Sequence, residues 1–123
     1  MEELDKSNEL IQYYIVNKDL GMSTGKISAQ VGHVVRRISD WFNNNASQSE
    51  LDKYNKWVNE FSEKKIILEA HQKTLEKLVD KGFFYVKDNG LTEIPPGSLT
   101  VVGLGVMTRE EAKPFVKRLQ TLK

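Results

Sequence analysis

The chain alternates between short apolar runs and longer stretches in which apolar residues recur three or four positions apart. Runs rich in β-branched and aromatic residues are typical of strands, and the wider spacing is typical of amphipathic helices. This pattern predicts strands at residues 11–16, 66–68, 83–86 and 99–106. It predicts helices that begin near residues 24, 47, 74 and 108.

Local signals mark where the helices begin and end. The asparagine-rich segment 43–46 predicts a loop after the first helix. Pro114 predicts a kink or a later start in the last helix, because proline lacks the backbone N–H and clashes with the preceding turn. Two capping boxes are predicted, Ser47 with Glu50 and Thr108 with Glu111.

Strands that alternate with helices indicate an α/β fold. We expect a single-domain three-layer sandwich, with a mixed sheet of about four strands and helices on both faces. The sheet should be mixed because the proline-rich connection between the last two strands carries no helix. Residues 1–9 are expected to form a flexible N-terminal arm, and residues 10–123 the folded domain.

Composition and charge exclude several classes of protein. The net charge of +1 argues against binding nucleic acid through bulk charge, although a local basic patch remains open. The chain has no cysteine, and its two histidines cannot build a usual zinc site without carboxylates, so we expect neither a metal nor another cofactor. No apolar run approaches the roughly 20 residues that span a bilayer, and the N-terminus is unlike a signal peptide. We therefore expect a cytoplasmic protein without a membrane partner.

A polar stripe on the first predicted helix is the first candidate site. It contains Lys26, Gln30, His33 and Arg37, spaced four, three and four residues apart. A lysine in the first turn lies beside unpaired backbone N–H groups, so both could stabilise an anion or a developing oxyanion. An ordinary solvated helix face would have the same spacing. The preceding loop is not a nucleotide P-loop, because three residues separate its glycines and isoleucine follows the lysine.

A second candidate cluster follows the third predicted strand. Asp88 and Thr92 lie in the loop after it, and Thr100 comes early in the last strand. Ligands of open α/β sheets bind at the carboxyl ends of strands, so these residues can converge with Lys26. One amine, one carboxylate and two hydroxyls can stabilise an oxyanion and orient a water, which suits hydrolysis of an activated ester. Alternatively, Asp88 and Thr92 serve only to organise the turn.

These two stretches resemble the signatures of one family, the archaeal and eukaryotic-type peptidyl-tRNA hydrolases. The first stretch carries Asp19-Leu20, Met22, Gly25-Lys26, Ala29-Gln30 and His33. The second carries Asp88, Gly90, Thr92, Ile94, Pro96-Gly97-Ser98, Thr100-Val101, Gly103 and Gly105. The order of elements also matches from Gln12 onwards.

The resemblance implies a cytoplasmic, metal-independent, homodimeric enzyme that hydrolyses the ester between a peptide and the 3′ end of tRNA. The catalytic residues that it implies are Lys26, Asp88, Thr92 and Thr100. The substrate contacts that we expect within the two signatures are Gln30, His33, Gly90 and Ser98. Small residues on α-helical spacing, Ala29 and Gly32, together with Trp41, Phe42 and Trp57, suggest more apolar surface than one core needs, which also favours a homodimer.

Three positions depart from the family pattern. Leu91 stands where the family has arginine, Glu93 where it has glutamine, and Thr24 where it has lysine. Each change lowers positive charge or adds negative charge near the expected tRNA end, so we expect either weaker contact with the tRNA backbone or an altered substrate preference. A non-catalytic module that binds the tRNA end or another protein on the same fold therefore stays open as the alternative.

Overall fold

The computed structural model describes residues 8–89 and 93–123. The strands are β1 (Leu10–Asn17), β2 (Lys65–Ala70), β3 (Phe84–Lys87), β4 (Leu99–Thr108) and β5 (Gln120–Thr121). The helices are α1 (Thr24–Asn45), α2 (Gln48–Glu60), α3 (Gln72–Asp80) and α4 (Arg109–Val116), and a short 3-10 turn at Lys18–Leu20 follows β1.

The strands form one mixed sheet in the order β3-β4-β1-β2-β5. β1 and β2 are parallel, whereas β4 pairs antiparallel with both β1 and β3, and β5 pairs antiparallel with β2. Helices α1 and α2 pack on one face and α3 and α4 on the other, which confirms the predicted three-layer α/β fold. The sheet has five strands rather than about four, because β5 has two residues and is too short to show a periodic pattern.

Strand β1 is the centre of the fold, and all eight of its residues are buried. Ile11, Tyr13 and Ile15 pack into the core under α3 and α4. Tyr14 and Val16 pack into the core under α1. Because successive side chains of a strand point to opposite faces, a strand covered on both faces is apolar at nearly every position, as this run is.

Helix α1 approaches β4 closely at Gly103. A Cβ at this position would overlap the side chains of Val34 and Ile38, so any larger residue would push the helix away. Both side chains are fully buried. The absence of a side chain at Gly103 thus lets α1 pack closely across β4 and β1.

The predicted loop after the first helix is wrong, because α1 continues to Asn45. The side-chain amides of Asn43 and Asn44 donate to backbone carbonyls four residues earlier, at 2.9 and 2.7 Å. These hydrogen bonds are compatible with a helix end, so an asparagine-rich segment need not leave the helix. The second helix begins two residues after Ala46 with the predicted capping box of Ser47 and Glu50.

The last helix begins directly after its cap. Thr108 and Glu111 form the predicted capping box, and α4 starts at Arg109, so a later start is wrong. Pro114 lies inside the helix, which ends two residues later at Val116. Pro114 cannot donate to the carbonyl of Glu110, four residues earlier, so one helical hydrogen bond is missing shortly before the helix ends.

The aromatic residues that suggested surplus apolar surface are packed inside the chain. Phe42 and Trp57 are buried, and the Trp57 indole nitrogen donates to the carbonyl of Lys64 at 2.9 Å. Trp41 is half-buried and packs edge-on against Phe84, with ring centroids 5.8 Å apart. Phe42 and Trp57 therefore supply no surplus apolar surface, and the homodimer stays a prediction.

The expected N-terminal arm lies largely outside the described residues, which begin at residue 8. Glu9, which we expected at the end of this arm, forms ion pairs with Lys64 at 2.8 Å and with Arg109 at 3.0 Å. The backbone carbonyl of Glu9 also accepts a hydrogen bond from the Arg109 N–H. This residue therefore links the entry to β1 with the start of α4.

Candidate active site

The topology of the sheet brings the two signature stretches to one edge. β1 and β3 both run antiparallel to β4, which lies between them. The carboxyl ends of β1 and β3 therefore meet at the edge where β4 begins. The loop after β1 leads into α1 with Lys26, the loop after β3 begins with Asp88, and Thr100 is the second residue of β4.

Capping of α1 positions Lys26 in the first helical turn. The Ser23 hydroxyl accepts a hydrogen bond from the Lys26 N–H at 3.3 Å, as the N-cap of the helix. The chain reaches this cap through Gly21, whose φ of 58° favours glycine. The Glu93 carboxylate accepts a hydrogen bond from the Ser23 hydroxyl at 2.6 Å, which ties the loop after β3 to the start of α1.

Lys26 and Asp88 form a buried ion pair between Nζ and Oδ1, in which the side chains are 9% and 7% exposed. Two backbone hydrogen bonds close the loop that carries Asp88: its N–H donates to the Ser98 carbonyl at 2.9 Å, and its carbonyl accepts from the Gly97 N–H at 2.8 Å. The predicted convergence of lysine and carboxylate is thus confirmed as geometry. The catalytic roles of Lys26 and Asp88 stay a prediction.

A β-bulge turns Thr100 towards α1. Val86 of β3 pairs with Val101, whereas the next residue of β3 pairs with Leu99, so Thr100 is the extra residue in β4. The Thr100 side chain is fully buried, and its hydroxyl lies 2.7 Å from Gln30 Oε1 and 3.1 Å from the Val86 carbonyl. In this conformation Thr100 contacts Gln30 and does not reach solvent.

An open cleft of about 600 Å³ lies above the ion pair, and we call it the Lys26 cleft. All four residues of the predicted polar stripe line it, so this helix face borders a cavity. Ala29 also lines it, together with the backbone of Gly25. The remaining charged side chains at its border are Arg36, Lys87 and Glu93.

One predicted site residue, Ser98, is not brought to this cleft, and two others lie outside the described residues. Ser98 lines a separate cavity of about 420 Å³ beside α3, and its hydroxyl donates to the Pro95 carbonyl at 2.7 Å. Gly90 and Thr92, with Leu91 between them, lie outside the described residues. Their expected roles stay predictions.

Sequence patterns missed Asn17 as an organising residue of the site. Its side chain is buried and donates to the Leu99 carbonyl at 2.9 Å and to the side chain of Gln72. Its own Oδ1 accepts from the Asp19 N–H at 3.0 Å. One asparagine therefore joins the ends of β1, β4 and α3. The available signal was a polar residue at the end of a continuous apolar run.

Within residues 8–89 and 93–123, no three histidine, aspartate or glutamate side chains lie close enough together to hold a metal ion. No helix in this part of the chain is long and apolar enough to cross a membrane. Metal independence of the activity stays a prediction.

The fold and the site define a small mixed-sheet α/β protein with a lysine–aspartate pair beneath a cleft bordered by basic residues. A family model described as "Peptidyl-tRNA hydrolase PTH2" matches residues 10–122. The chain belongs to this family, which confirms the resemblance of its two signatures.

Curated relatives agree with the family model and cover most of the chain. A protein of Methanopyrus kandleri is 32% identical over 109 residues, which is 81% of this chain and 87% of the relative. One of Thermoplasma acidophilum is 30% identical over 114 residues, covering 87% and 93%. One of Methanothermobacter thermautotrophicus is 34% identical over 102 residues, covering 76% and 83%. Each of them is named peptidyl-tRNA hydrolase.

Proposed function

We propose that this protein hydrolyses the ester bond that joins a peptide to the 3′ end of tRNA, releasing the peptide and free tRNA. The observation that carries the proposal is the Lys26–Asp88 ion pair beneath the Lys26 cleft. Membership of the peptidyl-tRNA hydrolase PTH2 family supports the choice of ester.

In the proposed reaction, the oxygen of a water attacks the carbonyl carbon of the ester, and the carbonyl electron pair moves onto oxygen. The Lys26 ammonium stabilises this oxyanion, because a charged donor that is already in place needs no reorganisation. The tetrahedral intermediate then reforms the carbonyl as the bond to the ribose oxygen breaks. The ribose oxygen takes up the proton lost by the water. The products are a carboxylic acid, which ionises, and a free ribose hydroxyl.

The other groups support this step in different ways. Asp88 orients the Lys26 ammonium through the ion pair or accepts the proton of the attacking water. Thr92 would hydrogen-bond the water or the ester, as its place in the signature suggests. Thr100 is fully buried, so its direct contact with substrate is less well supported than a contact through Gln30.

The border of the Lys26 cleft suits the acceptor end of a tRNA. His33, Arg36 and Lys87 lie along it and can contact phosphates. Arg37, which also lines the cleft, donates to the Tyr85 carbonyl at 2.7 Å, and this hydrogen bond holds its guanidinium beside β3.

We further propose that the enzyme acts in the cytoplasm, as a homodimer and without a metal. The support for these points is the family resemblance and, for the dimer, the exposed position of Gly32 on α1. A static light-scattering measurement should give the mass of two chains. A stable monomer at working concentration would contradict the dimer without affecting the proposed reaction.

The decisive experiment incubates the pure protein with N-acetyl-aminoacyl-tRNA and follows the release of free tRNA. We expect multiple turnovers by the unmodified protein, and release that is slower by about a hundredfold or more by a Lys26→Ala variant at the same concentration. Tight binding of the substrate without release of tRNA would overturn the proposal and would favour a tRNA-end binding module.

A further inference from the structure

Gln30 shares the Lys26 cleft with the ion pair. It follows Lys26 by four residues on α1, so the two side chains leave the same face of the helix about 6 Å apart along its axis. The Gln30 side chain is nearly buried, with 4% of the residue exposed. Both the oxygen and the nitrogen of a buried amide need a hydrogen-bond partner or contact with solvent. In Gln30 these two atoms have different surroundings.

The oxygen end of the Gln30 amide is held by Thr100. The Thr100 hydroxyl donates to Gln30 Oε1 at 2.7 Å, which is shorter than its 3.1 Å approach to the Val86 carbonyl. The bulge in β4 fixes this hydroxyl, because Thr100 is the extra residue between paired neighbours. The amide oxygen therefore points down to the sheet, and the amide nitrogen points away from it.

The nitrogen end of the amide faces the cleft. None of the hydrogen bonds of the described residues uses Gln30 Nε2. Among these residues, no fully buried side-chain nitrogen or oxygen lacks a partner. Nε2 therefore retains solvent contact, and Gln30 lines the Lys26 cleft. A neutral N–H donor thus lies one helical turn from the Lys26 ammonium.

We propose that Gln30 Nε2 is a second donor to the oxyanion formed during ester hydrolysis, beside the Lys26 ammonium, and that Thr100 is a positioning residue that acts through Gln30. The inference rests on the proposed function. As water attacks, the carbonyl electron pair moves onto oxygen and Nε2–H hydrogen-bonds that oxygen. No proton leaves Gln30. Asp88 partly balances the positive charge of Lys26. The neutral donor of Gln30 therefore adds to the stabilisation that Lys26 gives the oxyanion.

The test measures single-turnover hydrolysis of N-acetyl-aminoacyl-tRNA by Gln30→Met and Gln30→Glu variants. Methionine keeps similar bulk without a donor, and glutamate keeps the shape but presents an acceptor. We expect both to lower the maximal rate by about a hundredfold, the scale of losing one oxyanion donor, while KM changes by less than about twofold. Gln48→Met is the matched control, since Gln48 is exposed on α2 and should leave the rate unchanged.

A double-mutant cycle tests the role of Thr100. Thr100→Val should slow the unmodified protein nearly as much as Gln30→Met does, yet cause little further loss in the Gln30→Met background. Thr100→Ser keeps the hydroxyl and should retain most of the rate. Thermal unfolding of each variant separates these effects from loss of the fold.

Three outcomes would overturn the inference. A Gln30→Met variant that hydrolyses at the unmodified rate would exclude Gln30 as a donor. Losses that multiply when Thr100→Val and Gln30→Met are combined would show that Thr100 acts independently. Absence of hydrolysis by the unmodified protein would overturn both this inference and the proposed function, whereas the first two outcomes leave the proposed function intact.

Discussion

Lys26 and Asp88 are 62 residues apart in the chain, yet their side chains form an ion pair in which each is less than one-tenth exposed. One comes from the first turn of α1 and the other from the first position after β3. Removing one partner of such a pair leaves a poorly solvated charge, which is unfavourable. The pair therefore holds the start of α1 against the loop after β3. The same contact therefore serves the fold and the proposed reaction.

Lys26→Ala should lower the single-turnover rate by about a hundredfold or more, because it removes the charged donor to the oxyanion. Lys26→Arg should rescue poorly, since a planar guanidinium cannot occupy the position of a compact ammonium. The measurement is the rate at saturating N-acetyl-aminoacyl-tRNA. Lys56→Ala, at an exposed position of α2, is the control. A Lys26→Ala variant with an unchanged rate would remove lysine from the mechanism.

Activity should survive exhaustive treatment with a chelator. The proposed reaction uses an ammonium and amide donor at the oxyanion, so it calls on no Lewis acid. The measurement compares turnover before and after dialysis against chelator, with tRNA folding checked separately because tRNA itself binds magnesium. Loss of activity that a divalent ion restores, with the tRNA still folded, would contradict this mechanism.

The sequence was informative where a feature depends on neighbouring residues. The Ser47–Glu50 capping box is set by residues three positions apart, and the structure contains it. Burial of one face gives each helix or strand its own spacing of apolar residues, so the order of the elements could be predicted. Their alternation then predicted the three-layer fold with a mixed sheet. The two signatures placed Lys26 and Asp88 at strand ends, and their contact follows from the topology.

Features that depend on long-range packing could not be predicted in the same way. Nothing near Thr100 in the sequence indicates the bulge that turns it towards Gln30, since the bulge is defined by pairing with β3. The contact of Glu93 with Ser23 joins residues 70 positions apart. The end of α1 was placed too early because asparagine side chains can bind helix carbonyls as readily as they form turns.

Glu9→Gln should destabilise the protein at neutral pH by about 1 kcal/mol, the scale of partly exposed ion pairs. Hydrogen bonding to Lys64, and then to Arg109, outweighs desolvation and holds the pKa of Glu9 below its ordinary value of 4.5. A lowered folded-state pKa gives stability that is present above the unfolded value of about 4.5 and is lost as pH falls through the folded value. Urea unfolding across pH 3–7 should show the difference shrink on acidification. A difference that is constant with pH would contradict this explanation.

His33→Ala should raise KM with a smaller effect on the maximal rate. His33 is exposed and lines the Lys26 cleft, but it lies seven residues after Lys26, about 10 Å along the helix axis. The two therefore cannot both act directly on one carbonyl, and His33 is placed to contact bound tRNA. Single-turnover kinetics over a range of substrate concentrations separate the two effects. If His33→Ala abolished the chemical step while Lys26→Ala left it intact, His33 would become the candidate base.

Glu93→Gln should strengthen substrate binding without loosening the loop after β3. The Ser23 hydroxyl donates to Glu93 Oε1 at 2.6 Å, and a glutamine oxygen can accept the same hydrogen bond. The change removes one negative charge from the border of the Lys26 cleft, where phosphates would approach. A unit charge at about 8 Å in water corresponds to about 0.5 kcal/mol, so KM should fall about twofold at low salt, and less at high salt as screening increases. Glu60→Gln, at the exposed end of α2, should leave KM unchanged. An unchanged KM for Glu93→Gln at low salt would place the tRNA away from this carboxylate.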